Sequence, residues 1–199
     1  LYPAGEWATE IPEEASASLF EPNWLGFSAI ALAALVIGLV SRRLAMIAGV
    51  LYVGIPTFAM LSLSWAWEIL VFWVFIVTWA TDILAYFAGR SIGGPKLAPR
   101  ISPNKTWAGL IGGVIGAGLL GWAAAAYFEM EPLFRWAGAP MGVIAQAGDL
   151  YESWVKRRAG VKDSGSILPG HGGVLDRLDG LLAVALATTL LLMAGLWTE

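Results

Sequence analysis

Residues 107–128, from Trp107 to Phe128, read WAGLIGGVIGAGLLGWAAAAYF, with no charged side chain among them. A helix crosses the apolar core of a bilayer with about 20 mostly apolar residues. In hydrocarbon, only helices and closed barrels satisfy every backbone polar group. The stretch therefore reads as a membrane-spanning helix. Its glycines form a face: Gly109, Gly112, Gly113 and Gly116 recur at helical spacing, with Gly118 and Gly121 beyond. Small residues so spaced let helices approach closely. A packing face is the plainer reading, and a ligand contact is the alternative.

Composition extends this to the whole chain. Of 199 residues, 58% are hydrophobic and 14% charged, against about 25% charged in soluble domains. Eleven tryptophans suit a protein anchored at the headgroup level, which indole prefers. The absence of cysteine excludes disulfides and thiolate chemistry. Outward from 107–128 lie five more apolar segments: Trp24–Val40, Leu44–Leu63, Trp67–Ala88, Met141–Val155 and Leu178–Trp197. Asp82 sits inside the third of these, and Asp149 and Glu152 interrupt the fourth. The expected fold class is all-α, a polytopic transmembrane helix bundle of about six spans with polar loops. Residues 1–23 read as an acidic extramembrane segment carrying Glu6, Glu10, Glu13, Glu14 and Glu21, and 24–199 as the membrane domain. No basic stretch followed by a short apolar core appears, so no signal peptide is read here. A start at Leu1 reads as a fragment or a renumbered chain.

Charge placement tests the span count. With six alternating spans, Arg42, Arg43, Arg90, Lys96, Arg100, Lys105, Lys156, Arg157, Arg158, Lys162 and Arg177 share one side, and Arg135 stands alone opposite. By the positive-inside rule, the long loops 89–106 and 156–177 are expected in the cytoplasm and the acidic N-terminal segment outside.

Near that basic face lie Asp82, Asp149, Glu152, Asp176 and Asp179. An ionised carboxylate in a span costs on the order of 2.5–3.5 kcal/mol on insertion scales. Such groups persist beside a wet cavity, a cation or a base. A site built from carboxylate oxygens suits a hard cation such as Mg²⁺. The bases have two readings: a topology signal with attraction to anionic lipid, or polyphosphate binding. Interleaved Gly160, Gly170, Gly172 and Gly173 favour the second, since glycine lets backbone N–H groups approach phosphate. His171 is the only histidine, set in Gly170-His171-Gly172-Gly173, which points to an exposed turn; the lack of further His or Cys argues against a zinc site. No Walker A or GxGxxG loop is present. Ser102-Pro103 followed by Lys105 and Thr106 reads equally as a helix start capped by Ser or Asn and as a phosphate site at a helix N-terminus.

These residues resemble a known pattern. Ser153-x-x-Lys156-Arg157-x-x-x-x-Lys162-Asp163-x-x-x-x-x-Pro169-x-His171-Gly172-Gly173-x-x-Asp176-Arg177-x-Asp179 resembles the signature of the phosphatidate cytidylyltransferases, the CDP-diacylglycerol synthases. Gly148-Asp149-Leu150-x-Glu152-Ser153 resembles its lead-in. Asp82…Ala85-Tyr86…Gly89-Arg90 and Ile101-Ser102-Pro103-x-Lys105-Thr106 are similar to a second cytoplasmic motif. Together they cover roughly 78–180. The resemblance implies an enzyme that turns CTP and phosphatidic acid into CDP-diacylglycerol and pyrophosphate. It implies a multi-pass protein of the inner (plasma) membrane with its site facing the cytoplasm, dependent on Mg²⁺, with K⁺ as a second ion. Homodimerisation is implied too, and nucleic acid is not an expected partner. Members are typically longer, so further N-terminal spans are expected.

Roles follow from the resemblance. Asp149 and Asp176 are the expected metal ligands. Lys156, Arg157 and Lys162 are expected to hold phosphates of CTP or of the lipid headgroup. Asp163 and Asp179 shape the site or orient a base, and His171 with Gly172 and Gly173 forms a phosphate-facing turn. Ser102, Lys105 and Thr106 close the other wall, with Ser153 and Arg177 among the binding residues. Two other readings compete. A CTP-dependent polyprenol or phytol kinase would release CDP, and a cation transporter would spread its acids through the membrane depth.

Overall fold

Each apolar segment becomes a helix, and the punctuation between segments sets where each one stops. In the computed structural model, which describes residues 24–165, 173 and 175–196, six helices and one small hairpin follow in order. They are α1 (Trp24–Ser41), α2 (Leu44–Ala66), α3 (Glu68–Ser91), β1 (Lys96–Ala98), β2 (Ser102–Thr106), α4 (Trp107–Tyr127), α5 (Pro132–Arg158) and α6 (Leu175–Leu196). The segment 1–23 and the expected site residues His171 and Gly172 lie outside the described residues. Four helices, α2, α3, α4 and α6, are long and apolar enough to cross a membrane, and α1 is a shorter apolar helix. The chain is a membrane protein with an all-α bundle.

Two expectations need correction. The fifth span was placed at Met141–Val155, but α5 begins at Pro132. Proline is suited to a first helical position because its missing N–H has no partner to lose there. Arg135 and Pro140 hid this first part of the helix from an apolar-run reading. The charges at the other end of α5 keep it out of the purely apolar class. The stretch 89–106, read as a loop, also holds secondary structure. It holds an antiparallel hairpin with Lys96 opposite Thr106 and Ala98 opposite Ser102. Pro103 and Asn104 within β2 are poor strand formers, so local preference gave no sign of it. Gly93 and Gly94, at φ +69° and +93°, make the turn from α3 into β1.

The core forms where α3, α4, α5 and α6 meet. Leu70, Trp73, Val77, Ala117, Phe134 and Val184 are fully buried there. Trp73 packs edge-on to Phe134 with ring centres 5.2 Å apart, and its Nε1–H donates to the Gly121 carbonyl at 3.0 Å. The glycine face of α4 is a packing face, as the plainer reading held. A Cβ built at Gly113 would lie 2.8 Å from the Thr81 carbonyl oxygen of α3, and one at Gly109 would lie 2.9 Å from that of Ala85. On the other side of α4, a Cβ at Gly138 of α5 would meet the Ala117 carbonyl oxygen at 2.5 Å.

Gly138→Ala is therefore expected to force backbone apart and cost about 1–3 kcal/mol. Gly49→Ala, where an added Cβ meets nothing within 4 Å, should leave the melting temperature unchanged or slightly raised. Thermal unfolding of both variants in one detergent checks the contrast.

Candidate active site

The end of the bundle that carries the bases is also where the helices stop. There α3 runs out at Ser91, α4 begins at Trp107, α5 ends at Arg158 and α6 begins at Leu175. Each stop has a local cause. Thr106 caps α4, its Oγ1 accepting from Gly109 N–H at 3.0 Å. At the end of α5, Gly160 takes φ +72°, and N–H groups of Gly160 and Val161 reach back to the carbonyls of Arg157 and Lys156 at 3.1 and 3.0 Å. This is the Schellman arrangement, which favours glycine in the left-handed position. Gly160 thus ends a helix.

Between these ends lies a cavity of about 860 Å³. Four carboxylates line it, Asp82, Asp149, Asp176 and Asp179, with five cations, Arg90, Lys96, Lys105, Lys156 and Arg177. On α5, Gln146, Asp149 and Lys156 all reach it, because positions three and seven apart share a helix face. Gly148 lets α6 come close beside them. A Cβ there would sit 2.7 Å from that of Ala183 and 2.9 Å from the Asp179 carbonyl oxygen.

The charges are organised in two sets. Lys105 Nζ lies 2.6 Å from Asp149 Oδ2 and donates to Gln146 Oε1 at 3.1 Å. Ser153 Oγ donates to Asp149 Oδ1 at 3.3 Å, orienting the carboxylate from behind. In the second set, Lys156 Nζ sits 2.7 Å from Asp176 Oδ1 and 3.1 Å from Glu152 Oε2. Glu152 is 2% exposed, and among the described residues Lys156 is the one cation in ion-pair contact with it. Asp176 also accepts from Gly173 N–H at 2.7 Å and from Ser164 N–H at 2.9 and 3.1 Å. Its place in the first turn of α6 adds the favourable end of the helix dipole.

Of the expected site residues, Lys105, Thr106, Asp149, Lys156, Asp176, Arg177 and Asp179 come together around the cavity. Ser153 and Gly173 support them from behind. Ser102, Arg157, Lys162 and Asp163 are not among its lining residues. Ser102 pairs with Ala98 in the hairpin. Arg157 Nε donates to the Ile101 carbonyl at 3.3 Å, tying the hairpin to α5. Lys162 and Asp163 are exposed. Thr106 is buried, and its oxygen serves as the cap. The residue that the sequence reading missed is Gln146. Its signal was an amide within an apolar run, three residues before Asp149 on the same face.

The carboxylate donors fit a hard divalent cation by their chemistry, since they offer only oxygen. Among the described residues, no three His, Cys, Asp or Glu side chains form a ready metal cluster. Mg²⁺ is usually held by one or two carboxylates and completes its shell with water and substrate phosphate.

The sequence profile described as "Cytidylyltransferase family" matches residues 16–194. The chain belongs to the cytidylyltransferase family. Among family relatives, a protein of Brucella abortus (strain 2308) named phosphatidate cytidylyltransferase is 51% identical over 150 residues, covering 69% of this chain and 53% of the relative. One of the same name from Haemophilus influenzae is 46% identical over 122 residues, covering 57% of this chain and 42% of the relative. One from Rickettsia bellii is 41% identical over 128 residues, 60% of this chain and 54% of the relative. The chain thus spans about half the length of the curated relatives that it matches.

Replacing Asp176 with Ala removes a part-buried ion pair and the acceptor of two backbone N–H groups. A loss of about 2–4 kcal/mol is expected. Asp163→Ala, at an exposed position, should change stability by less than about 0.5 kcal/mol. Paired melting curves test the difference.

Proposed function

We propose that this chain carries the catalytic region of a phosphatidate cytidylyltransferase. It would join CTP to phosphatidic acid, giving CDP-diacylglycerol and pyrophosphate, at the cytoplasmic face of the inner membrane. One observation carries the reading: one cavity at the basic end of the bundle is lined by both signature regions, and lysines from each pair there with carboxylates. Relatives bearing that name support the choice of substrates. Eleven of the twelve bases fall at that end when the helices alternate, which supports its facing the cytoplasm.

A phosphatidate oxygen attacks the α-phosphorus of CTP, and pyrophosphate leaves. The reaction rests on positioning and on neutralising charge. A phosphate monoester dianion is already nucleophilic, so no strong base is needed. Lys156, fixed between Glu152 and Asp176, supplies a positive charge of defined position. Arg90, Lys96 and Arg177 line the same cavity and supply charge to the nucleotide's phosphates and the lipid headgroup. Asp149 and Asp176 are the carboxylates that would hold Mg²⁺. When bound, such an ion neutralises phosphate oxygens and favours departure of the leaving group. Asp179, beside Glu152 and Asp149, shapes the floor of the site.

Purified protein supplied with labelled CTP, phosphatidate and Mg²⁺ should release pyrophosphate and form CDP-diacylglycerol. Release of CDP with phosphorylation of a lipid alcohol would point to the lipid-kinase reading. Asp149→Asn should lose turnover by at least about 10²-fold while melting as a folded protein does. Retained Mg²⁺-dependent product formation by that variant would remove Asp149 from the site.

A further inference from the structure

The two lysines that pair with site carboxylates are held very differently. Lys156 lies between two carboxylates, one of them buried, and giving up Asp176 still leaves it bound to Glu152. Among the described residues, Lys105 has one carboxylate within ion-pair distance, Asp149, and one neutral partner, the Gln146 amide oxygen. Lys105 is 17% exposed and Asp149 is 32% exposed, and both face the cavity. The ammonium has three donors on a flexible four-carbon stem, and two are used here. It is also a monovalent charge on an oxygen that a divalent cation would prefer.

We propose that Lys105 is a resident counter-cation of Asp149. It competes with the divalent cation for that carboxylate, and when displaced it swings to a nucleotide phosphate, tethered by Gln146. The inference rests on the catalytic reading above. Gln146 suits the tether because its oxygen accepts a lysine proton without cancelling the lysine's charge. Ser153 keeps Asp149 oriented once Lys105 leaves. Loading of the cation and capture of the nucleotide thereby become one coupled event. Lys105 keeps an anionic partner both before and after, Asp149 in one state and phosphate in the other. Gln146 is a positioning residue in this scheme, acting through Lys105.

The test needs binding as well as turnover. Mn²⁺ affinity is measured by electron paramagnetic resonance on the whole chain in detergent, without nucleotide, and CTP affinity by calorimetry with Mn²⁺ and no lipid. In Lys105→Met, Mn²⁺ should bind about three- to tenfold more tightly, as loss of a competing ion pair requires, while CTP binds at least about tenfold more weakly. Gln146→Leu should leave Mn²⁺ affinity within about twofold of wild type and weaken CTP. Should Lys105→Met fail to melt cooperatively, Lys105→Gln takes its place under the same expectations. A lysine that merely anchors the hairpin would give weaker binding of both ligands, or lower melting with unchanged Mn²⁺ affinity, and either result overturns the proposal. Wild-type protein that binds no CTP and releases no pyrophosphate would overturn the catalytic reading. Product formation by wild type without tighter Mn²⁺ binding in either Lys105 variant would overturn this inference alone.

Discussion

Carbonyl oxygens of α3 lie where side-chain carbons of α4 would have to be. That near-contact of two backbones is the constraint on which the site depends. Without an apolar driving force between helices in lipid, association comes from close packing and interhelical hydrogen bonds. The glycines at 109 and 113 supply the first, and the Trp73 indole bonded to Gly121 supplies the second. Once α3 and α4 are locked, the fifteen residues between Ser91 and Trp107 must return the chain to the same end of the bundle, and they do so through the hairpin that carries Lys105. Gly138 and Gly148 then bring α5 to α4 and α6 to α5 in the same manner. Four helix ends converge because three successive helix contacts are made of backbone.

The charges are a consequence of that convergence. Helix ends leave N–H and carbonyl groups unpaired, and here they are taken up locally: by the Thr106 side chain at the start of α4, and by the backbone N–H groups of Gly160 and Val161 at the close of α5. What is left over faces the cavity as side chains. Each buried or half-buried acid that the structure pairs has a lysine within 3.1 Å. A carboxylate beside hydrocarbon is tolerated when a cation shares its low-dielectric surroundings, and removing either partner strands the other.

Much of this was legible in the residues, and the parts that were not have physical reasons. Six apolar runs became six helices because hydropathy and helix length answer to the same bilayer thickness. The acids at 149, 176 and 179 were legible as a group, since each breaks an apolar pattern near the basic end. The pairing of Lys105 with Asp149 was not, because it joins a hairpin to a helix across more than forty residues of sequence. Arg157 shows the reverse difficulty. Its place in the signature suggested a phosphate ligand, whereas its guanidinium reaches the backbone at Ile101. A motif records that a residue type is present; whether it faces the cavity or braces the wall is decided by which side of α5 it falls on. Gln146 was invisible for a simpler reason: an uncharged amide hardly disturbs an apolar run.

The depth of the cavity carries a last consequence. Asp82 and Arg90 both line it and stand a little over two turns apart on α3, a rise of about 12 Å. With the end of α3 at the headgroup level, a wall of that length would reach well into the apolar slab, which is about 30 Å thick in all. Carboxylates and cations thus line the cavity along that wall. Charged surface at that depth favours local thinning of a bilayer over contact between charge and acyl chains. Bilayer thickness then becomes a variable of the site itself. A thicker membrane tilts α3 or draws headgroups further from Asp82, and a thinner one lowers them toward it.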